Sequence, residues 1–464
     1  MIVPCPGLLT GSQTSRRAVF FAALGVFAYM LFLRARHISE MFELLGDQML
    51  YWDIALRPLR EQPIGGGPTS AGGTTLGPAF IWTMWLIRHV VGPWTGNLPH
   101  AGGIGIALLE SIADACLFAA IWVRARSSLL ALAVVLLSAT GAQELSLSAS
   151  IWNPPVATAF VKISMACVLA SGVQASPWWD ILATAAAVLA LQCHSAAIFF
   201  TAPVIGALML SEISGGKQAG WTRVLAMGAT VAALEAPFLI DHAIHPAKDT
   251  SPTLVVGSVA ATLSHPASLR PAAAFSGFVL ACQDLLGRPW GIPALALLLA
   301  VMAGLAMIAV RRDIRMASVS VLPPIAAIAG FSLWQSGFES YWFMMLMPCV
   351  ALTAGLGMTA WRPTATLGAA ILLILVLAAQ PGRYAASLTI NRVPEYGAIV
   401  RGSQEIRKRM SEIRAIDIDF WVPPTTGVTY IYERILGGTF TADARYEAII
   451  ERTGHVRFTV APAP

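Results

Sequence analysis

The sequence is poor in charged residues. Asp, Glu, Lys and Arg make up 12% of its 464 residues, whereas soluble globular proteins usually contain about 25%. Hydrophobic residues make up 56%, and the mean hydropathy is +0.67. This composition excludes an ordinary soluble enzyme and a disordered chain. It predicts an all-α polytopic membrane protein, because each crossing needs about 20 consecutive apolar residues.

Cysteine is also scarce, and the motifs of common cofactor sites are missing. The six cysteines form no C-x-x-C pair, which excludes a disulfide scaffold and argues against a zinc site. No H-x-x-x-H or H-E-x-x-H pattern occurs, and the glycine-rich stretch 65–77 lacks the G-K-[ST] of a P-loop. No metal site is predicted, although a requirement for a divalent cation stays open.

The net charge of +5 does not indicate a nucleic-acid partner. The basic residues form short clusters between apolar runs, and no basic stripe alternates with aromatic residues. Such clusters are typical of cytoplasmic loops that lie beside anionic membrane lipids.

The apolar runs predict about eleven membrane spans. Residues 76–94 form a further apolar stretch, interrupted by Arg88 and His89. The predicted spans are 18–34, 100–123, 128–146, 156–173, 178–193, 195–211, 222–243, 290–310, 317–334, 341–360 and 365–381.

The basic residues of the short loops decide how 76–94 is interpreted. If it does not cross the membrane, all five basic groups fall on one side, as the positive-inside rule requires. We therefore predict an interfacial or re-entrant helix, with the N-terminus cytoplasmic and the C-terminus extracytoplasmic. The five groups are Arg16 with Arg17, Arg124 with Arg126, Lys217 with Arg223, Arg311 with Arg312 and Arg315, and Arg362.

This topology divides the chain into a membrane domain, 1–381, and a C-terminal segment, 382–464. Two long loops, 35–99 and 244–289, lie outside. The C-terminal segment holds 20 of the 55 charged residues (30 basic and 25 acidic), a density typical of a soluble domain. Its pattern predicts a small α+β unit with helices at 396–414, near 430–436 and at 443–453, and strands at 418–422 and 455–460.

The most informative segment is 46–59, directly after the first span. As a helix, it places Asp47 and Tyr51 on one face, whereas Asp53 lies roughly 240° away from Asp47. The alternative for Asp47 is a helix N-cap. The alternative for Asp53 and Arg57 is an i,i+4 surface ion pair worth about a few tenths of a kcal/mol.

The same segment resembles the first outer loop of the GT-C membrane glycosyltransferases, which include protein O-mannosyltransferases and aminoarabinose transferases. Their pattern is similar to D-E-x-x-Y-x-x-I-A-R. Here Asp47, Tyr51, Ile54 and Ala55 stand in register. Gln48 replaces the second acid, and the arginine comes one place late, at 57.

Further pieces follow in the order of that family. Gly77-Pro78 with the apolar run 79–86 resembles the helix that follows the acidic helix. Residues 150–155, S-I-W-N-P-P, resemble a Trp-Asn-Pro that opens a later span. Residues 192–195, Q-C-H-S, and 237–242, P-F-L-I-D-H, also match.

The resemblance implies a sugar transferase of the bacterial cytoplasmic membrane. Its donor is a polyprenyl-phosphate sugar held among membrane lipids, and its acceptor is an extracytoplasmic glycan, lipid or protein. Asp47 is the implied general base, with inversion at the anomeric carbon. The donor and phosphate candidates are Arg57, His194 and Tyr51; the further substrate-site candidates are Asp53, Trp152, Asn153, Asp241, His242, Glu339 and Tyr341.

Two alternatives stay open. Glu110 and Asp114 lie one turn apart inside a predicted span, with Lys162 or Arg88 as partners, and intramembrane acids are typical of transporters and flippases. They can equally have a structural hydrogen-bonding role. The departures from the family pattern also leave room for a non-catalytic relative that acts as an assembly partner.

Overall fold

The computed structural model describes most of the chain. The described residues are 16–68, 76–173, 176–214, 218–245, 264, 269–286, 292–311, 313–334, 339–360, 364–390, 395–419 and 426–461.

Helices make up most of the described chain, as the composition predicts. A 3₁₀ stretch, Ser340–Leu346, leads directly into one of them. The helices are α1 (Arg16–Ala35), α2 (Gly46–Leu56), α3 (Ala79–Val90), α4 (His100–Ala125), α5 (Ser128–Ala139), α6 (Ala142–Leu147), α7 (Asn153–Ser171), α8 (Pro177–Cys193), α9 (Ile198–Ser214), α10 (Gln218–Ile244), α11 (Pro271–Leu286), α12 (Ile292–Arg311), α13 (Ile314–Ser318), α14 (Leu322–Ser332), α15 (Met347–Met358), α16 (Ala365–Ser387), α17 (Tyr396–Arg409) and α18 (Thr426–Thr429).

The chain is a polytopic membrane protein. Within the described residues, seven helices are long and apolar enough to cross a membrane, and four shorter apolar helices accompany them. The seven are α1, α4, α7, α9, α10, the stretch that ends with α15, and α16. Each of the eleven predicted spans overlaps a helix, but their number is not confirmed.

One predicted span, 128–146, is broken in the structure. Helix α5 ends at Ala139 and α6 begins at Ala142, which leaves the last carbonyl groups of α5 without partners in their own helix. The Leu136 carbonyl accepts from the Thr140 N–H (3.1 Å) and also from the Thr140 hydroxyl (2.6 Å), and Arg383 donates to the Leu137 carbonyl (3.5 Å). These side chains stabilise the break.

Residues 76–94 contain α3, which has 12 residues. At about 1.5 Å per residue, α3 is roughly 18 Å long, shorter than the roughly 30 Å of a bilayer core. Trp82, Leu86 and Val90 form an exposed apolar stripe along it. This length agrees with an interfacial or re-entrant helix.

The C-terminal segment is an α+β unit, but one predicted helix is wrong. Residues 443–453 contain a strand, β4 (Tyr446–Ile450), in which Ala448 and Ile450 are buried on one face. It lies between β2 (Ala415–Ile418), which is parallel to it, and β5 (Val456–Val460), which is antiparallel. Two short strands, β1 (Glu412–Ile413) and β3 (Thr439–Phe440), pair in parallel.

The other predicted elements of this segment differ less. The terminal strand 455–460 is confirmed as β5, and the helix predicted at 396–414 ends at Arg409. A π-helical turn, Tyr430–Ile435, occupies the position of the predicted second helix. Of the strand predicted at 418–422, residues 420–422 lie outside the described residues.

The C-terminal segment packs on the end of the bundle that carries α2 and α3, hereafter the site end. His100 hydrogen-bonds Tyr396 (3.1 Å), and the Gly397 N–H donates to the Glu40 carbonyl (3.1 Å). Arg401 pairs with the Glu40 carboxylate (2.9 Å). The α+β unit is therefore docked on the first loop.

Arginines join the helices at the opposite end. Arg124 pairs with Asp313 (3.2 Å), and Arg315 pairs with Asp180 (3.0 Å). Arg315 and Arg223 also both contact Glu212. The basic groups around 124, 223 and 315 thus share one end, as the positive-inside argument requires. Lys217, Arg312 and Arg362 lie outside the described residues, and the orientation in the membrane stays a prediction.

Candidate functional site

Asp47 lies in the first turn of α2 and is not its N-cap. The helix begins after Leu45, whose backbone N–H donates to the side-chain oxygen of Gln48 (3.1 Å). Gln48 is buried and caps the helix, which gives the departure from the family pattern a structural reason. The Asp47 carboxylate is therefore left for other partners, in a position that the helix dipole favours.

Buried aromatic side chains fix α2 in place. Tyr51 and Trp52 are fully buried, and the Trp52 indole N–H donates to the Asn97 carbonyl (2.8 Å). The Tyr51 ring packs edge-on against Phe80 of α3 (4.8 Å). Asp47 thus stands on a rigid helix, as a positioned catalytic group requires.

The Asp47 carboxylate is partly exposed. Within the described residues, no side chain or backbone group forms a hydrogen bond or ion pair with it. It lies close enough to Tyr51 and Tyr341 to act on both electrostatically. Burial, and then the charge of Asp47, raise the pKa of the Tyr51 hydroxyl, so this phenol stays a hydrogen-bond donor.

Tyr341 is the centre of an aromatic group beside Asp47. Its ring lies 4.8 Å from the Trp152 ring and 6.4 Å from the His194 ring. The structure therefore brings together five predicted residues from four parts of the chain: Asp47, Tyr51, Trp152, His194 and Tyr341. Sugar rings have apolar faces that aromatic side chains can cover.

Asn153 connects the start of α7 to the end of α8, where His194 lies. Asn153 begins α7, and its amide donates to the Cys193 carbonyl (3.0 Å). His194 follows α8, and its Nδ1 accepts from the Ala196 N–H (3.2 Å). Burial lowers the pKa of His194 to about 4, so the ring is neutral near pH 7. It can offer one N–H, at Nε2, but no positive charge.

Asp53 connects α2 to the C-terminal segment. Asp53 pairs with Arg57 (3.1 Å) and with Arg434 of the π-helical turn (2.5 Å). Burial alone would raise the pKa of the Asp53 carboxyl, but hydrogen bonds from Arg434 and Arg57 lower it. These contacts do not place Asp53 or Arg57 beside Asp47.

The remaining candidates have other neighbours in the structure. Asp241 bonds to His245 (3.2 Å), and the backbone of Gly65 packs so closely against it that a side chain at 65 would not fit. His242 stacks on Phe238 with ring centres 6.0 Å apart. Glu339 is exposed and lies two residues before Tyr341.

Five charged side chains form a buried charge cluster inside the bundle. Lys162 contacts Glu144 (2.5 Å), Glu110 (2.8 Å) and Asp114 (2.9 Å), and Arg34 contacts Asp114 (2.6 Å). The predicted pairing of Glu110 and Asp114 with Lys162 is confirmed, whereas Arg88 bonds to His89. All five members are at least nine-tenths buried.

Sequence reasoning missed two members of this cluster, Arg34 and Glu144. Both are charged residues within predicted apolar spans, 18–34 and 128–146. A charged residue inside a span usually has a buried partner, and this signal could have identified them. Within the described residues, no group of acidic, histidine or cysteine side chains is arranged to hold a metal ion. The three acids of the cluster are held by cationic side chains instead.

Sequence comparison and structure comparison give different results. No protein-family model and no curated protein matches the chain. Among solved structures, ArnT from Cupriavidus metallidurans bound to undecaprenyl phosphate matches with a TM-score of 0.53 and 13% identity, over 90% of this chain and 84% of that one.

The apo state of the same ArnT matches with a TM-score of 0.51 and 12% identity, over 90% and 85% of the two chains. ArnT is an aminoarabinose transferase of the GT-C superfamily. At this level of identity the likeness shows a shared fold. It confirms the fold that the motif around Asp47 predicts.

Proposed function

We propose that this chain transfers a sugar from a polyprenyl-phosphate-linked donor to an acceptor hydroxyl at the extracytoplasmic face of a bacterial cytoplasmic membrane. The observation that carries this proposal is the Asp47 carboxylate. It is partly exposed, lies on a rigid helix beside Tyr51 and Tyr341, and has no hydrogen-bond or ion-pair partner among the described residues. The shared fold with ArnT, solved with undecaprenyl phosphate, supports the donor class.

The reaction needs a base more than it needs an acid. An acceptor hydroxyl is a weak nucleophile, and Asp47 takes its proton as the oxygen attacks the anomeric carbon. The bond from that carbon to the phosphate oxygen breaks in the same displacement, which inverts the anomeric configuration. The leaving group departs as the polyprenyl phosphate, an anion stable enough to leave without protonation.

Donor binding requires hydrogen-bond donors for the phosphate and a surface for the sugar. His194 offers its Nε2–H as a neutral donor. Arg57 is 42% exposed and holds Asp53 through Nη2, so its other N–H groups are available to a phosphate. Trp152 and Tyr341 supply the aromatic surface for the sugar, and Asn153 fixes the end of α7 beneath it.

The acceptor approaches from the side of the C-terminal segment. This segment is docked on the loop that precedes Asp47 and lies next to Asp53. Asp53 contributes to that docking, and Asp241, His242 and Glu339 are the proposed contacts of sugar or acceptor hydroxyls. The proposed place for the polyprenyl chain is between the first loop and the spanning helices.

Replacing Asp47 by asparagine tests the proposal. Purified D47N in proteoliposomes with a polyprenyl-phosphate sugar should transfer at least about 100-fold more slowly than wild type, the usual contribution of a general base. D443N, which neutralises an exposed acid of the C-terminal segment, is the matched control and should retain activity. A folded D47N protein with the wild-type rate contradicts the assignment of the base.

The buried charge cluster favours one alternative, a transporter or flippase, since ionisable groups inside a membrane domain are typical of such proteins. Flux of protons or lipid across proteoliposomes without added sugar donor would support it. A non-catalytic assembly partner would neither transfer sugar nor bind a polyprenyl-phosphate sugar.

A further inference from the structure

We infer that Arg34 is a positioning residue that fixes the two segments of the candidate site, 36–48 and 144–153, against each other. The first segment carries Asp47, and the second carries Trp152 and Asn153. The kinetic part of this inference rests on the proposed function, whereas its structural part does not.

Arg34 contacts several elements at once from the end of α1. One of its guanidinium nitrogens lies 2.6 Å from the Asp114 carboxylate of α4 and another lies 3.5 Å from the Glu144 carboxylate of α6. Its Nε donates to the Ser148 hydroxyl (2.9 Å), and Nη1 donates to the Ser111 hydroxyl (3.1 Å). A side chain that is 1% exposed and bonded on every side has a single available geometry.

Three serines of the second segment, at the alternate positions 146, 148 and 150, bond it to its surroundings. Ser148 accepts from Arg34, and Ser150 donates to the Glu43 carboxylate of the first segment (3.4 Å). Ser146 donates to the Ile390 carbonyl, where α16 leads into the C-terminal segment. The path that reaches Trp152 is therefore held from three directions.

A glycine of α4 lets the two segments meet. A Cβ atom at Gly103 would collide with the Ala149 carbonyl of the second segment, and it would lie 2.6 Å from Ile38 and 2.8 Å from Phe42 of the first. Both segments thus pack on one point of α4, independently of Arg34. Similarly, a Cβ atom at the adjacent Gly102 would lie 2.6 Å from the side chain of Ile151, so Ile151 also packs closely on α4.

Lys162 completes the arrangement from α7. Its ammonium group contacts the Glu144 carboxylate. Lys162 lies nine residues after Asn153 on the same continuous helix. The cluster therefore connects α1, which leads to Asp47, with α7, which begins at the site. A shift of Arg34 would move the carboxylate relative to the aromatic group, and small misplacements of reacting groups reduce rate strongly.

Hydrogen–deuterium exchange measures the structural part directly. The variants are R34K, which keeps the charge but loses the planar fork, and G103A, which separates the segments without changing charge. We expect exchange in peptides from 36–48 and 144–153 to become at least threefold faster in both variants, with other helices unchanged. The controls are R409Q, which removes an exposed arginine, and G25A, at which nothing lies within 4 Å of the added methyl.

Steady-state transfer measures the kinetic part. We expect kcat to fall at least tenfold in R34K and G103A, by a larger factor than KM for the donor rises, because the chemical step depends on the position of the base relative to the bound donor more steeply than donor binding does. The controls should keep both constants.

Several results would overturn the inference. Unchanged exchange in both segments would refute it, as would faster exchange spread evenly over all helices, which indicates global destabilisation. Faster exchange in the two segments together with a wild-type kcat would show that sugar transfer does not need the segments in fixed positions. If wild type itself transfers no sugar, the proposed function fails, and the exchange result alone still decides whether Arg34 holds the two segments.

Discussion

Replacing Lys162 by methionine should destabilise the protein far more than replacing Glu110 by glutamine. Two cations, Arg34 and Lys162, face the three carboxylates of Glu110, Asp114 and Glu144, so the cluster has a formal charge of −1. K162M makes this charge −2 and removes all three contacts of the ammonium group. E110Q makes it zero, and the amide oxygen can still accept from Lys162.

The burial and contacts of the cluster determine how much stability each variant loses. Removing one partner of a buried ion pair costs roughly 3–5 kcal/mol, because the opposite charges stay buried without compensation. K162M should therefore lower the unfolding temperature by roughly 3–5 °C, because the unfolding entropy of a chain of this length is about 1 kcal/mol per kelvin. E110Q should cost about 1 kcal/mol, the value of an altered hydrogen bond, since the Oε1 atom that becomes an amide group has no hydrogen-bond partner at present.

Thermal unfolding in one detergent, at one scan rate, measures both variants, and the double variant K162M/E110Q provides a further check. It restores the formal charge of −1 and should be more stable than K162M alone. A K162M protein as stable as wild type, or an E110Q protein less stable than K162M, would refute the charge accounting.

Two further predictions concern the edges of the site. Since burial lowers the pKa of His194 to about 4 from 6.5 in the unfolded chain, its contribution to stability is complete above about pH 6.5 and is lost as pH falls from there towards 4; H194N should flatten this part of the stability–pH curve measured by thermal unfolding. The Asp53–Arg434 pair is partly exposed, so R434A and D53N should each cost less than about 1 kcal/mol while making the C-terminal segment more sensitive to limited proteolysis. Equal cleavage rates in R434A, D53N and wild type would show that the pair does not hold that segment.

The local pattern of the sequence was enough to predict the helix of Asp47. Asp47, Tyr51 and Ile54 have the spacing of one helix face, and α2 forms over Gly46–Leu56 where this spacing predicts it. The meeting of Trp152, His194 and Tyr341 beside this helix follows from their common position at the ends of spans.

The predictions from sequence fail where contacts between residues distant in the sequence determine the structure. Residues 443–453 have a pattern compatible with a helix, and only pairing on both sides of β4 makes them a strand. Similarly, the spacing of Asp53 and Arg57 predicts their ion pair, but Arg434 comes from the C-terminal segment, 381 residues away. No local pattern could reveal that third partner.

The contacts of the acidic side chains in the membrane domain give the strongest physical argument for the role of Asp47. Glu110, Asp114 and Glu144 are buried, and each lies within 3 Å of a cationic side chain, so a substrate hydroxyl has no access to them. Asp53 is held in the same way by two arginines. A general base needs the opposite, a carboxylate fixed in position by its helix with its oxygens available to a hydroxyl. Among these five acids of the membrane domain, only Asp47 combines a rigid backbone with a carboxylate that no described residue binds.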